Sequence, residues 1–259
     1  MNALSRTVTT DFDSFETSIP EILDQLKAEE VFADQSRILL KPNLVNDDPH
    51  PVTTHPQMLE AMVRYIRSCS DAEILIAEGC GDHHLDTFEV FRRLGYDRLA
   101  SKHGITLVDL NEEELITLEN SNCKIFPEIH LPKIAFESYI VSLPVLKAHS
   151  LSKITGALKN MMGFAPPAHY SGGCGTWKKA FFHNNLHQAV FELNRYVTPD
   201  LSILDASIGL ADFHLGGPEC SPRVAKLAGG YNPVEVDKQA CRLLGIDETM
   251  VPHIRPRSG

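Results

Sequence analysis

Several motifs that would identify a cofactor or a reaction are missing from the 259 residues. No G-x-G-x-x-G opens a helix after a predicted strand, so a conventional dinucleotide site is not expected. No G-x-S-x-G elbow is present, which removes the usual nucleophile of an α/β-hydrolase. The six cysteines form no C-x-x-C pair and no ferredoxin-like run. We interpret them as reduced, mostly buried thiols in a reducing compartment.

The sequence also lacks a long apolar run and an excess of basic residues. Its apolar runs are far shorter than the roughly 20 residues that a membrane-spanning helix needs. The first residues contain no apolar segment typical of a signal peptide, and we expect a cytoplasmic protein. The net charge of −10 argues against a nucleic-acid-binding protein, because phosphate contacts require a basic face. The oligomeric state stays open, with a homodimer among the alternatives.

Acidic residues are absent between Ser138 and Phe191, although the whole chain contains 34 of them. A local excess of positive charge in an acidic protein favours a pocket for an anionic ligand. Chance clustering of surface lysines is the alternative interpretation. The segment carries these basic side chains: Lys147, Lys153, Lys159, Lys178, Lys179, His149, His169, His183 and His187.

Strand-like and helix-like segments alternate along the chain, which predicts an α/β fold. We expect a mostly parallel sheet with helices on both faces, in a Rossmann-like three-layer architecture. Residues 1–259 would form a single α/β domain, or two tightly packed lobes, with an irregular or hairpin excursion at 111–137. The predicted strands are 37–41, 73–78, 105–110, 138–146, 201–205 and 224–228. The predicted helices are 17–30, one opening at Pro56, 87–94, 97–103, 152–162, 183–196 and 233–244.

Polar residues follow the predicted strands, where open α/β sheets bind their ligands. We therefore expect these side chains to lie near one another at the carboxyl edge of the sheet. They are Lys41, Asn43, Glu78, Asp82, Asp109, Lys147, His149 and Asp205.

The segment 139–163 concentrates this pattern. A buried strand is expected to end before a turn that carries Lys147 and His149, and a helix over 152–162 would follow. Free N–H groups at the start of that helix could hold an anion, with Ser150 or Ser152 as the N-cap. Lys159 and Asn160 lie within its otherwise apolar sequence. In the alternative interpretation the serine only caps the helix, Lys147 is solvated and His149 is a packed turn residue.

The loop 164–179 is rich in glycine and proline and too long for a plain connector, so it is a candidate lid. His169 within it could act as a general acid or base. The run Gly172-Gly173-x-Gly175 could approach a phosphate, but it lacks the rest of a P-loop. Two other groups could bind a metal, although surface positions are the simpler interpretation: His183 with His187, and Cys80 with His83 and His84.

An ordered set of segments resembles the family catalogued as domain of unknown function 362. Many members of that family carry a ferredoxin-like iron–sulfur module, and no such cysteine run occurs here, so no electron-transfer role is expected from it. The residue before Pro233 is usually Asp in that family and is Asn232 here. The matching segments are 41–44, 53–56, 143–149, 155–163, Asp205, 216–218 and 233–237.

A second, fainter resemblance is to nickel-pincer lactate racemases. It covers only His169-Tyr170-Ser171-Gly172-Gly173, which is similar to a His-containing loop and the Tyr/Phe-Ser-Gly-Gly step of those enzymes. This resemblance implies a cofactor tethered to a lysine and a metal held by histidine.

Taken together, these features predict an enzyme-like protein with a site for a small anionic molecule or cofactor. Lysines and helix N–H groups would hold a carboxylate or phosphate, the asparagines would orient it, and His149 or His169 would move a proton. A non-catalytic ligand-binding module, or an accessory protein for a redox partner, is a second hypothesis. A metal-dependent isomerase or racemase is a third. The cofactor, if any, is undetermined. The predicted site residues are Lys41, Asn43, Thr54, His55, Lys147, His149, Lys159, Asn160 and His169.

Overall fold

The computed structural model of the protein describes residues 6–172 and 177–255. Strands and helices alternate along most of this chain, as the sequence predicts. The strands are β1 Thr7–Asp11, β2 Arg37–Pro42, β3 Glu73–Glu78, β4 Thr106–Asp109, β5 Leu115–Glu119, β6 Glu128–Pro132, β7 Tyr139–Leu143, β8 Val145–His149, β9 Lys153–Thr155, β10 Leu201–Leu210 and β11 Lys226–Gly230. The α-helices are α1 Phe15–Gln25, α2 Ala28–Ala33, α3 Pro56–Cys69, α4 Thr87–Leu94, α5 Tyr96–His103, α6 Ala157–Asn160, α7 Pro167–Tyr170, α8 Leu186–Leu193 and α9 Pro233–Leu244.

The main sheet has the strand order β1-β11-β10-β7-β2-β3-β4. Strands β10, β7, β2, β3 and β4 pair in parallel, whereas β11 and β1 add antiparallel strands at one edge. Strand β8 pairs in parallel with the second half of β10 and forms an antiparallel hairpin with β9. The prediction of an α/β fold with a mostly parallel sheet is therefore confirmed.

Alternate residues of the central strands enter two separate hydrophobic clusters. Leu39 and Leu75 belong to one cluster, with apolar residues of α6, α8 and α9. Ile38 and Ile76 belong to the other, with apolar residues of α1, α3, α4 and α5. Because successive strand residues point to opposite faces, helices cover both faces of the sheet.

Local signals predicted several elements correctly. Strand 73–78 and helices 87–94 and 233–244 have the predicted bounds. Helix α4 begins at an Asp86 side chain that caps the N–H of Glu89 and ends at Gly95, whose φ of 83° requires the left-handed region. Helix α3 begins with Pro56 in its first turn, again as predicted.

The predicted strand 138–146 is wrong in its extent, because it is two strands divided at Pro144. The Pro144 carbonyl accepts the N–H of Asp205 (2.9 Å), and there the chain passes from β7 to β8. Both strands pair with β10, in succession. Lys147 and His149 therefore lie on a buried strand rather than in a turn.

The predicted helix 152–162 is also wrong. Residues 153–155 return as strand β9, α6 covers only 157–160, and a 3-10 helix follows at Met161–Phe164. Neither serine caps α6, since the Ser152 hydroxyl donates to the Ile154 carbonyl (2.8 Å). The Asp237 carboxylate of α9 accepts the N–H groups of Ala157 and Leu158 instead. The start of α6 is therefore not open to an external anion.

Three further differences reflect weak or misleading local patterns. The predicted helix 17–30 is broken at Lys27, which has a φ of 56° between α1 and α2. The predicted helix 183–196 is a 3-10 helix at Ala180–Asn185 followed by α8, so His183 and His187 lie on different elements. Strand β1 had no hydrophobic signal in its threonine-rich sequence, and its pairing with β11 places it in the sheet.

The excursion at 111–137 contains the antiparallel hairpin β5–β6. The Glu192 carboxylate of α8 anchors it by accepting the backbone N–H groups of Lys124, Ile125 and Phe126. None of the described helices is long and apolar enough to cross a membrane.

The contact between α6 and α9 leads to a stability prediction for Gly156→Ala. A Cβ at Gly156 would overlap the Asp237 carboxylate, which two backbone N–H groups hold in place. We expect a loss of about 1–3 kcal/mol in the free energy of unfolding, as for other overpacked sites, measured by urea denaturation.

Gly81→Ala is the matched control, because its Cβ would lie 3.5 Å from the Val45 side chain, an ordinary contact. Equal denaturation midpoints for the two variants would contradict this account of the α6–α9 contact.

Candidate functional site

A cavity of about 450 Å³ opens at the carboxyl ends of β2, β3 and β8. Its volume lies within the roughly 300–1,000 Å³ of small-molecule sites. Six of the nine predicted site residues line it, and the acid-free segment supplies most of them. The six are Lys41, Asn43, Lys147, His149, Lys159 and Asn160.

Lys41 and Glu78 form a buried ion pair in the wall of the cavity. Their charged atoms are 2.6 Å apart, and both side chains are almost fully buried. Glu78 also accepts the N–H groups of Leu44 and Gly79, and Lys41 also donates to the Pro42 carbonyl. Burial lowers the pKa of Lys41, and the Glu78 charge opposes this effect. Among the residues that the structure describes around the cavity, Glu78 is the one carboxylate, and Lys41 already neutralises it.

Two asparagines connect the cavity lysines to the sheet. The Asn43 side chain accepts from the Lys147 ammonium (2.6 Å) and donates to the Asn160 side-chain oxygen (3.2 Å). Asn160 in turn donates to the Lys41 carbonyl and the Ser142 hydroxyl. The side-chain oxygen and nitrogen of Asn43 and of Asn160 each have a partner, so both side chains are held in one orientation.

Thr54 and His55 do not line the cavity. The buried Thr54 hydroxyl accepts the Asn43 N–H and donates to the Leu143 carbonyl, both at 2.8 Å, so Thr54 positions Asn43 from behind. His55 caps α3 by accepting the Gln57 N–H, and its ring stacks on Phe15. Burial lowers the pKa of His55.

Burial lowers the pKa values of the other three cavity lysines. The pKa of Lys147 falls to about 7, mainly by burial and further by the Lys159 charge. The pKa of Lys159 falls to about 8 by burial alone. The pKa of Lys179 also falls to about 7, mainly by burial. Removing an ammonium from water disfavours its charged form unless an opposite charge compensates.

The environment of Lys159 differs from that of the other three lysines. Lys159 is only partly buried and faces the cavity, and its ammonium makes no hydrogen bond or ion pair to another residue in the described ranges 6–172 and 177–255. Lys179, by contrast, donates to the Asn111 side chain and to the carbonyls of Gly163 and Ala165.

Three neutral histidines face the same cavity. His149 and His214 stack with ring centroids 3.8 Å apart. The pKa of His149 is lowered strongly, chiefly by burial and then by the Lys159 charge, and that of His214 falls to about 3 for the same reasons. Burial and Lys159 also lower the pKa of His183. Burial, reinforced by the positive charge of Lys159, therefore keeps the surrounding imidazoles uncharged.

The hydrogen bonds of His149 define its tautomer. Its Nδ1 accepts the N–H groups of Leu151 (3.1 Å) and Ser152 (3.3 Å). A neutral imidazole that accepts at Nδ1 carries its proton on Nε2, so this ring can act as a hydrogen-bond donor.

His169 lies outside the cavity. It is exposed and stacks on His130 of β6 at 4.0 Å. Burial and the neighbouring His130 lower its pKa. Of the glycine run that follows, Gly173 and Gly175 lie outside the described residues, as does Cys174.

The structure identifies cavity residues that the sequence did not single out. The charge pattern of the acid-free segment includes Lys179, but the sequence did not place it among the site residues. His214 comes from the distant loop after β10, and no local signal pointed to it. Trp177, Leu151 and Phe213 give the cavity mouth an apolar rim, with Leu151 and Phe213 about half exposed.

The candidate metal-binding groups do not assemble. No cluster of three or more His, Cys, Asp or Glu side chains suited to a metal occurs within residues 6–172 and 177–255. His187 contacts His253 through their Nδ1 atoms (2.8 Å). His83 and His84 contact each other, and the buried Cys80 thiol contacts Lys178 (3.4 Å). All five described cysteines are free thiols.

Comparison with known proteins identifies one family. The sequence model of the family described as Domain of unknown function (DUF362) matches residues 38–242, which is most of the chain. No curated protein matches the sequence. The likeness to lactate racemases is not shown by these comparisons.

The lowered pKa of Lys159 predicts a pH-dependent stability gain for Lys159→Met. An ordinary lysine has a pKa of 10.5, whereas folded Lys159 has a pKa of about 8. Between these values the unfolded chain binds more protons, so this lysine destabilises the fold most at low pH and the penalty disappears as the pH rises. Lys159→Met should therefore be more stable than the parent at pH 7, with a difference that shrinks by at most about 1.4 kcal/mol per pH unit above pH 8.

Urea denaturation of both proteins between about pH 7 and pH 9 measures this difference. Lys153→Met, at an exposed position of β9, reports the general effect of removing one positive charge. A stability difference for Lys159→Met that stays constant with pH would show that burial does not perturb Lys159.

Proposed function

The chain belongs to the DUF362 family, and we propose that this member is an enzyme that binds a small anion, a carboxylate or a phosphate, in the cavity. The single observation that carries this proposal is the unpaired ammonium of Lys159. A cation that faces a cavity without a partner is a group to which an anionic ligand can supply the missing charge.

The rest of the cavity supports an anionic ligand. Lys179, whose nitrogen has three oxygen acceptors, adds positive charge, and Glu78 is committed to Lys41. His149 donates from Nε2 when neutral, so it favours an oxygen with negative charge. The Asn43–Asn160 pair keeps Lys147 in a fixed position relative to such a ligand. The apolar rim at Leu151, Trp177 and Phe213 suits a ligand with a hydrocarbon part.

Histidine chemistry is the second part of the proposal. Burial is the main cause of the lowered histidine pKa values, and the Lys159 charge is the second. An anion between Lys159 and the histidines would offset the second cause and would add a negative charge, so the pKa values of His149, His183 and His214 would rise toward the range in which imidazole exchanges protons at neutral pH. Proton transfer to or from the bound ligand is thus assigned to the cavity histidines. His169 is left out of this role because it stacks on His130 outside the cavity.

The arrangement of the layers is proposed to be Rossmann-like. The parallel strands β10, β7, β2, β3 and β4, and the helices on both faces, support this classification. The cavity at the carboxyl ends of β2 and β3 agrees with the usual position of ligands in such sheets.

Anion binding should weaken in Lys159→Met and with rising pH. The charge-assisted hydrogen bond lost in the variant is worth roughly 1.5–3 kcal/mol, which corresponds to roughly ten- to hundredfold weaker binding. In the parent, the affinity should be highest below pH 7 and fall as the pH rises through the pKa values of Lys147 and Lys159, about 7 and 8. Calorimetric titration with phosphate and a panel of carboxylates measures both effects.

Lys153→Gln is the matched control, since it removes an exposed lysine of the same charge-rich segment. Titration in two buffers of different ionisation enthalpy should reveal proton uptake on binding. Equal affinities for the parent and Lys159→Met would sink the proposal. Tight, proton-coupled binding without turnover of any tested anion would reduce it to a non-catalytic binding module.

A further inference from the structure

The acceptors around each buried lysine indicate which protonation state the site accommodates. An ammonium has three N–H donors, whereas a neutral amine has two donors and one lone pair. Lys179 has three oxygen acceptors, which suits an ammonium. Lys41 faces a carboxylate, which also favours the charged form.

Lys147 is different, because its nitrogen has two acceptors among the described residues and neither is charged. They are the Asn43 side-chain oxygen and the Val52 carbonyl, both at 2.6 Å. These two contacts satisfy both N–H groups of a neutral amine, and the remaining tetrahedral position is left for the lone pair. A third proton would place an unpaired N–H in a site that is 1% exposed.

The charges near Lys147 also favour the neutral amine. Lys159 lowers the pKa of Lys147, and the opposing effect of Glu78 is the smallest of the three contributions. The other titratable groups coupled to it are His149 and His214, whose own pKa values the Lys147 charge lowers. Burial together with a neighbouring cation is the arrangement that makes a lysine nucleophilic at neutral pH.

A second, independent observation comes from Thr155 on the facing strand. Thr155 lies directly opposite Lys147 in the β8–β9 hairpin, and it lines the cavity. Opposed side chains in such a pair are about 5 Å apart at Cβ. The Thr155 residue is 3% exposed, and its buried hydroxyl has no hydrogen-bond partner among the described residues. An orphaned hydroxyl beside the amine is suited to a ligand oxygen.

We propose that Lys147 is a nucleophilic amine that forms a Schiff base with the carbonyl carbon of an anionic aldehyde or ketone, a 2-oxo acid in the simplest case. The inference rests on the proposed function, because Lys159 holds the anionic group while Lys147 attacks. Thr155 donates to the carbonyl oxygen. His149, two residues along the same strand and therefore on the same face as Lys147, relays a proton from the attacking nitrogen to the carbonyl oxygen.

The reaction is balanced without any other reactant. The amine lone pair forms a C–N bond with the carbonyl carbon, and the C=O π electrons move to oxygen, which takes a proton to give a carbinolamine. The nitrogen returns one proton to His149, the C–O bond breaks, and the hydroxyl leaves as water together with the second nitrogen proton. The product is an imine, and protonation of its nitrogen creates an electron sink for chemistry at the adjacent carbon.

Reductive trapping tests the inference directly. The protein is incubated with glyoxylate, pyruvate or phenylpyruvate and sodium cyanoborohydride, and the adduct is measured by intact mass and located by peptide mapping. We expect a single adduct on Lys147, with a rate that rises with pH through about 7.

Thr155→Val should slow trapping by roughly tenfold, which corresponds to the loss of one hydrogen bond worth about 1.4 kcal/mol. Lys147→Arg should abolish it, and Lys153→Arg should trap like the parent.

Calorimetry separates this inference from the proposed function. The 2-hydroxy acid that matches each probe has the same carboxylate but no carbonyl. If both acids bind in the cavity and Lys147 is not modified, the nucleophile is wrong and the anion site stands. If neither acid binds, the inference fails, and the proposed function fails with it only if phosphate and the other carboxylates also do not bind. Adducts spread over exposed lysines such as Lys153, at the same rate as Lys147, would also overturn the inference. Mapping of the parent protein decides these outcomes even if Lys147→Arg does not fold.

Discussion

The burial of lysines with too few carboxylates is the constraint on which the site depends. Four lysines line one cavity, and Glu78 compensates only Lys41. Neutral oxygen atoms accept the hydrogen bonds of two other lysines. Lys147 donates to the Asn43 side chain and the Val52 carbonyl, and Lys179 donates to the Asn111 side chain and the Gly163 carbonyl. Neutral acceptors satisfy N–H groups without cancelling charge, so the cavity retains a positive field.

This arrangement is costly for the fold. Desolvation lowers the pKa values of Lys147, Lys159 and Lys179. The charged form of each lysine is therefore less stable in the folded protein than in water. Structural ion pairs such as Lys41–Glu78 hold neighbouring segments together. The other three lysines have no such carboxylate partner in the described part of the chain. Destabilised groups that converge on a cavity are typical of functional sites.

Part of the site could be predicted from the sequence because strand ends are local features. Lys41 and Asn43 follow a short buried run, and the parallel sheet brings them to the same edge as Glu78. Lys147 and His149 were also selected, although for a different local structure. They lie on a strand because β8 pairs with β10, more than fifty residues away, and this pairing outweighs the turn-like sequence after Pro144. Thr54 was predicted as a ligand-binding residue, but it lies behind Asn43 and does not line the cavity.

Other parts of the site could not be predicted because they depend on contacts between residues that are distant in the sequence. His214 enters the cavity from a loop that follows β10, and no periodicity or motif in Phe213–Pro222 indicates the stacked contact with His149. His169 looked suitable by type and loop position, and only the packing of its loop against β6 places it beside His130. The helix expected over 152–162 failed because the β8–β9 hairpin and the Asp237 cap are contacts with distant or facing residues.

The sequence by itself determined the elements with strong periodicity and caps, such as Thr87–Leu94 between Asp86 and Gly95, together with the α/β class and the acid-free segment that supplies the positive charge. Those properties depend on neighbours within a few residues. Only the tertiary structure decided which lysines are paired, which are free and which are poised to lose a proton. The protonation of a lysine depends on its desolvation and on its hydrogen-bond partners. Asn43, the partner of Lys147, is 104 residues away along the chain, and only folding brings the two together.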